Sequence, residues 1–132
     1  MILAINRVGA LGLKGGLPWK SKKDLQHFKK LTLGKRCLVG RKTYETLPNL
    51  PNRELIVVGQ GYLTLEEAMK RKPEVVIGGK TLFEKFFDKV DKIHLSIIVD
   101  DTTSGDVGFD GRECWKIIAD MRTKIYKFQK DK

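Results

Sequence analysis

Two short segments of this chain rhyme. Val39-Gly40-Arg41-Lys42-Thr43 and Ile77-Gly78-Gly79-Lys80-Thr81 each follow an apolar run and open a stretch of helical pattern. A glycine turn between a buried strand and a helix lets backbone approach closely, and the helix start offers N–H groups and partial positive charge. An Arg or Lys adds a full charge. Each turn taken alone is also consistent with an ordinary tight strand-to-helix connection. The repetition, with a basic residue each time, favours two anion-holding bends in one fold. The nucleoside-triphosphate loop is excluded, because it needs a glycine where Glu74 stands. Neither bend has the usual dinucleotide fingerprint, and Gly9, Gly12, Gly15 and Gly16 do not supply it. Two separated bends would still suit a dinucleotide whose phosphates are far apart.

The runs around these bends set the fold class. Ile2 to Ile5, Cys37 to Val39, Leu55 to Val58 and Val75 to Ile77 read as strands buried on both faces. Helical stretches come between and after them: Lys22 to Leu31, a short one from Thr43, Leu65 to Lys70, and Leu82 to Phe87. Strand and helix alternate, which predicts an α/β fold with a mostly parallel sheet. The tail differs. Lys92 to Val99 is β-branched, and Cys114 to Ala119 and Thr123 to Gln129 flank the turn Asp120-Met121-Arg122. The expectation is one domain over residues 1–132: a mixed, twisted sheet of about seven or eight strands, an antiparallel C-terminal hairpin, and helices on both faces.

Charge is distributed unevenly. The chain has 26 Lys and Arg against 16 Asp and Glu, a formal +10, and residues 1–44 hold eleven basic residues and a single acid, Asp24. Such asymmetry points to an anionic partner: nucleic acid, a membrane surface, or a phosphorylated or polycarboxylate small molecule. A solvated basic face would also account for Lys22, Lys23, Lys29 and Lys30. Ser21 precedes Asp24 as in a capping box, so a helix is predicted to start after Ser21 with Asp24 in its first turn. Asp24, Phe28 and Leu31 then share one stripe at i, i+4 and i+7. Asp24 either serves the helix start alone or is a partly desolvated carboxylate of raised pKa, suited to an amidine-like heterocycle and to proton transfer. Cys37 and Cys114 lie 77 positions apart with no histidine at ligand spacing, so neither a zinc site nor a disulfide framework is expected. Apolar runs fall short of a membrane span, and no basic-then-apolar leader precedes the first strand; a cytoplasmic location is expected.

The order of these motifs resembles that of the dihydrofolate reductases, in a short version. Leu17-Pro18-Trp19 with Asp24 and Phe28, then Val39 to Leu47, Pro51-Asn52-Arg53, Val76-Ile77-Gly78-Gly79 and Lys92 to Ser96 match that family in order and approximate spacing over most of the chain. The resemblance implies reduction of 7,8-dihydrofolate to 5,6,7,8-tetrahydrofolate by hydride transfer from NADPH, since no side chain donates a hydride. It implies that Asp24 pairs with the 2-amino group and N3 of the pterin and promotes protonation at N5. Trp19 matches a tryptophan that helps hold a water near the acid, and Ser96 stands where the family usually has a threonine bonded to that acid.

The same resemblance assigns the binding surfaces. Leu25, Phe28, Leu47, Leu50 and Phe83, with Ala4, Ile5 and Ile77, are the expected lining of the substrate cleft. Arg53 matches the arginine that pairs with the α-carboxylate of the glutamate tail; a strand-end surface arginine is the alternative. Gly40, Arg41, Lys42 and Thr43 are expected on the adenosine side of NADPH. Ile77, Gly78, Gly79, Lys80, Thr81 and Leu82 are expected at the pyrophosphate, and Ala4, Ile5 and Leu17 at the nicotinamide. Gly9 to Leu17 matches a mobile loop that closes over the site. Two departures stand out: Gly59-Gln60-Gly61 replaces the hydroxyl and basic residues often found near the 2′-phosphate, and the connection before the last strand is short. No metal is expected, and a monomer is. The rival readings are a pyrimidine reductase of riboflavin synthesis, against which Asp24 and Arg53 count, and a basic nucleic-acid-binding domain, against which the lack of interleaved aromatics counts.

Overall fold

A computed structural model describes residues 1–6, 10–12, 22–47, 50–98, 107–108 and 123–128. Among the described residues, eight strands and four helices follow in the order β1 (Ile2–Asn6), β2 (Ala10–Gly12), α1 (Lys22–Thr32), β3 (Arg36–Gly40), α2 (Arg41–Thr46), β4 (Glu54–Val58), α3 (Leu65–Lys70), β5 (Val75–Gly78), α4 (Lys80–Phe86), β6 (Ile93–Ile98), β7 (Val107–Gly108) and β8 (Thr123–Phe128). One parallel ladder runs β4-β3-β5 and a second β1-β6-β8, while β2 and β7 form a separate antiparallel pair. β1 lies beside β5, so the two parallel ladders are neighbours.

The expected alternation is present, and most element ends fall within a residue or two of expectation. α3 has the clearest local cause: Thr64 accepts from the Glu67 amide at 3.1 Å while the Glu67 carboxylate accepts from the Thr64 amide at 3.1 Å, a complete capping box. In the tail β8 runs parallel to β6, from Ile93 opposite Thr123 to Ile98 opposite Phe128. Strand residues alone carry no direction; a parallel neighbour needs only enough intervening chain to return to the same end of the sheet. The hairpin partner expected at 114–119 lies outside the described residues, and the β2–β7 pair was not foreseen.

Side-chain alternation along each strand divides the core in two. Leu3 and Ile5, Leu38, Ile56, Val76, Ile93 and Leu95 point to one face, where Leu65 and Ala68 of α3 and Leu82, Phe83 and Phe86 of α4 cover them. Ile2, Cys37, Val39, Val57, Val75 and Ile77 point to the other, where Phe28 and Leu31 of α1 and Leu47, just after α2, pack. Helices on both faces are thus present. By the same alternation Ala4 and Ser96, opposite each other in the β1–β6 register, belong to the α1 face.

Candidate active site

α1 presents one stripe to the sheet. Asp24, His27, Phe28 and Leu31 are half-buried and Thr32 is buried, while Lys22, Lys23, Gln26, Lys29 and Lys30 are exposed. The spacing anticipated for Asp24, Phe28 and Leu31 is the spacing that burial shows. Across the sheet from this stripe stand Ser96, 1 % exposed, and Tyr126 of β8, opposite Ser96 in register. The Tyr126 ring centroid is 4.0 Å from that of His27 and 6.2 Å from that of His94. Burial lowers the His27 pKa, and the Asp24 carboxylate on the same helix opposes that shift in part. Leu25 is 40 % exposed and sits at a rim, not in the packed stripe.

Two expected lining residues are not brought to this face. Ile5 follows Ala4 and therefore points the opposite way, into the α3–α4 core. Phe83, 2 % exposed, is consumed by that same core. The physical reason is the period-2 pleat for Ile5, and for Phe83 its place on the face of α4 that packs, with Leu82 and Phe86, against Leu38, Ile56 and Val76. Phe28, Leu47 and Ile77 do share the α1 face, and Leu50 is buried.

The two glycine bends, 38 positions apart in sequence, meet in space. Parallel pairing of β3 with β5 sets Val39 opposite Gly78, so both strands end at the same level. A Cβ built on Gly40 would lie 3.5 Å from the Gly79 amide nitrogen, and one built on Gly79 would lie 2.8 Å from Thr43 Oγ1. Glycine at 79 is thus required by close approach and not by backbone angle. Neither Gly40 nor Gly79 caps its helix with a side chain. The Gly78–Gly79 peptide is cis. Arg41 pairs with Glu45 at 3.5 Å and Lys80 with Glu84 at 3.6 Å, both one helical turn on and exposed enough to be exchangeable. Bare backbone from two strand ends, flanked by Arg41, Lys42 and Lys80, suits a polyanionic cofactor such as a dinucleotide.

Gly59 joins this region, although sequence reading took it only as a departure. Its φ is +148°, and a Cβ there would lie 2.8 Å from Arg41 Cβ, so the end of β4 is pressed against the first residue of α2. The edge-on pair of Tyr44 and Tyr62, with centroids 5.7 Å apart, ties the same segments together.

Arg53 is held from three sides. Its Nε donates to Thr32 Oγ1 at 2.9 Å, one terminal nitrogen donates to the Pro51 carbonyl, and the other to the Lys29 carbonyl. The Gly34 amide donates to the Asn52 carbonyl at 2.9 Å, so the loop before β4 is bound to the end of α1. Thr32 was missed by sequence reading. The available signal was a hydroxyl eight residues after Asp24, at the end of the same stripe. Leu17, Trp19 and most of Gly9 to Leu17 lie outside the described residues, so their expected roles have no structural account. Among the described residues no three His, Cys, Asp or Glu cluster as metal ligands, and no helix is long and apolar enough to cross a membrane.

Comparison with known proteins agrees with this arrangement. The sequence profile of the family described as dihydrofolate reductase matches residues 1–130. The type 9 dihydrofolate reductase of Escherichia coli is 30% identical over 93% of this chain and 83% of its own length. A dihydrofolate reductase of Staphylococcus aureus is 32% identical over 87% of this chain and 80% of its own. Among solved structures, a dihydrofolate reductase from Enterococcus faecalis, complexed with NADP(H) and RAB-propyl, superimposes with a TM-score of 0.72 at 32% identity, covering 82% of this chain and 74% of that one. The chain belongs to the dihydrofolate reductase family.

Proposed function

We propose that the α1 face and the paired glycine bends carry out, in this chain, the family's NADPH-dependent reduction of 7,8-dihydrofolate to 5,6,7,8-tetrahydrofolate. The observation that carries the reading is the meeting of the two bends, with Gly79 against Thr43, at the ends of β3 and β5, the strands that pack against Phe28 and Leu31 of the helix carrying Asp24. Bound NADPH supplies the hydride. Gly40, Arg41, Lys42 and Thr43 hold its adenosine side, and Gly78, Gly79, Lys80 and Thr81 its pyrophosphate, with Ile77 and Leu82 packing behind. These residues fit such a group because a side chain at Gly79 would fill the cradle that backbone and Thr43 form.

The remaining work belongs to protein side chains. Asp24 accepts hydrogen bonds from the 2-amino group and N3 of the pterin, orients the ring and promotes protonation at N5. Ser96, buried on the same face, supplies a hydroxyl toward that acid. Phe28, Leu47 and Leu50, with Ala4 and Ile77, exclude water from the ring, and Leu25 marks the rim. Arg53 receives the α-carboxylate of the glutamate tail. The positive first third steers both polyanionic reactants toward the site, an effect that weakens with salt.

The test is loss of NADPH absorbance with and without dihydrofolate, with an antifolate control, on the parent chain and Asp24→Asn. The parent oxidises NADPH only when dihydrofolate is present. Asp24→Asn loses most turnover at neutral pH while NADPH still binds, as read by quenching of protein fluorescence. Undiminished turnover in that variant rejects the role given to Asp24.

A further inference from the structure

We propose that Glu45 sets how strongly this chain reads the 2′-phosphate of its cofactor: its carboxylate competes for the Arg41 guanidinium, weakening the hold on NADP(H) and hastening its release. The inference rests on the reading that Arg41 serves the adenosine side of NADPH, and it adds a residue that works against that hold.

The order of charge along the helices is the first observation. In α1 the acid Asp24 stands in the first turn and Lys29 and Lys30 in the last; in α3 Glu66 and Glu67 come first and Lys70 last. That order suits a helix, because its partial charges and its i,i+4 pairs both favour the acid on the N-terminal side. α2 and α4 reverse it. Neither has an acid in its first turn; Arg41 and Lys80 open them, and their partners Glu45 and Glu84 follow four residues later. These are the two helices that follow the glycine bends. Helix stability therefore does not account for the arrangement.

The setting of Arg41 is the second. A Cβ at Gly59 would lie 2.8 Å from Arg41 Cβ and 3.7 Å from its Cδ, so the stem runs along the end of β4 and only the guanidinium is left to turn. Its Nη1 meets Glu45 Oε1 at 3.5 Å, where a strong charge-assisted bond spans about 2.7–2.9 Å. The two side chains are 37% and 52% exposed, so water screens the pair and it exchanges readily. A phosphate offers several oxygens to the same planar fork, and two parallel N–H···O bonds are the stronger arrangement. Two anions around one cation repel each other, so the acid gives up the guanidinium when the phosphate takes it.

The consequence differs between cofactors. A ligand that takes Arg41 loses the ion pair; one that leaves Arg41 alone loses nothing. NADPH carries a phosphate at the ribose 2′ position and NADH a hydroxyl, so only NADPH meets the competition. On departure Glu45 offers the guanidinium a partner as the phosphate lets go, and affinity changes among close variants appear mostly in the dissociation rate. Glu45 thus acts through Arg41 and not on the cofactor itself.

The experiment titrates NADPH and NADH, followed by quenching of protein fluorescence, into the parent chain, Glu45→Gln, Arg41→Ala and the double variant, with stopped-flow measurement of NADP+ dissociation. Glutamine keeps the volume at an exposed position and removes the charge. Glu45→Gln is expected to lower the Kd for NADPH about two- to fivefold, the range of an exposed ion pair, and to slow NADP+ departure by a similar factor, with the Kd for NADH unchanged. In the Arg41→Ala background the same substitution is expected to change nothing.

A Kd for NADPH that stays the same or rises in Glu45→Gln overturns the inference, since the acid then does not compete. An equal gain for NADH, or a gain that persists in Arg41→Ala, also overturns it, by showing a general field in place of a contest for one guanidinium. In each of these cases Arg41→Ala still weakens NADPH more than NADH, and the reading of Arg41 stands. If Arg41→Ala leaves the Kd for NADPH unchanged, that reading fails and the inference falls with it.

Discussion

Gly79→Ala tests whether the meeting of the two bends is a built contact. The added methyl would stand 2.8 Å from Thr43 Oγ1, where ordinary contact begins at 3.4 Å. Thr43 is β-branched and sits in the first turn of α2, so its χ1 cannot swing freely to clear the methyl. Forcing a methyl into a closed space costs about 1–3 kcal/mol. Unfolding entropy near 2.1 cal/mol/K per residue gives about 0.28 kcal/mol/K for 132 residues, so the melting temperature is expected to fall by about 4–11 °C. Thr43→Ala removes the obstructing oxygen, so in that background Gly79→Ala should cost little, leaving a coupling of about 1 kcal/mol or more in the double-mutant cycle. Differential scanning fluorimetry on the four proteins reads stability. A titration of NADPH on the same set shows whether affinity follows, with Gly79→Ala alone expected to lose the most. Strict additivity of the two substitutions in melting temperature would refute the claim that these side-chain and backbone atoms are in contact.

Two further expectations concern the core and pH. Leu38 is fully buried at the centre of the α3–α4 core, so Leu38→Ala is expected to cost about 3 kcal/mol, roughly 11 °C in melting temperature; a loss under about 3 °C would show that the site collapses or is less packed than described. Burial holds the His27 imidazole below its usual pKa, so below about pH 6.5 the unfolded chain binds more protons than the folded one. The stabilisation His27 gives is therefore complete above that pH and is lost as pH falls through the folded value. Melting temperatures from pH 8 to pH 5 should fall less steeply in His27→Gln than in the parent, and matching slopes would rule the account out.

The local order of this protein is legible in its residues. Apolar runs such as Cys37 to Val39 and Val75 to Ile77 mark strands because no polar side chain interrupts them. Asp24 is placed on a buried stripe by its distance from Phe28 and Leu31, and both glycine bends are visible as strand ends. These features depend on neighbours a few positions apart, whose geometry is set by helix and strand period. Period also shows that Ala4 and Ile5 point opposite ways. It does not show which of the two faces will carry α1, and so cannot say that Ile5 and Phe83 belong to the far core.

Only the tertiary structure decided how distant pieces meet. Parallel pairing of β3 with β5 brings Thr43 against Gly79, and the loop before β4 brings Arg53 to the end of α1, where Thr32 waits as an acceptor. The direction of β8 arises in the same way, from its pairing with β6 and not from the residues of the strand. The residues name the chemistry available at each point, because charge, hydroxyl and missing Cβ are properties of single side chains. The contacts that turn them into a site arise from pairing and packing between segments far apart in the chain, which no local pattern encodes.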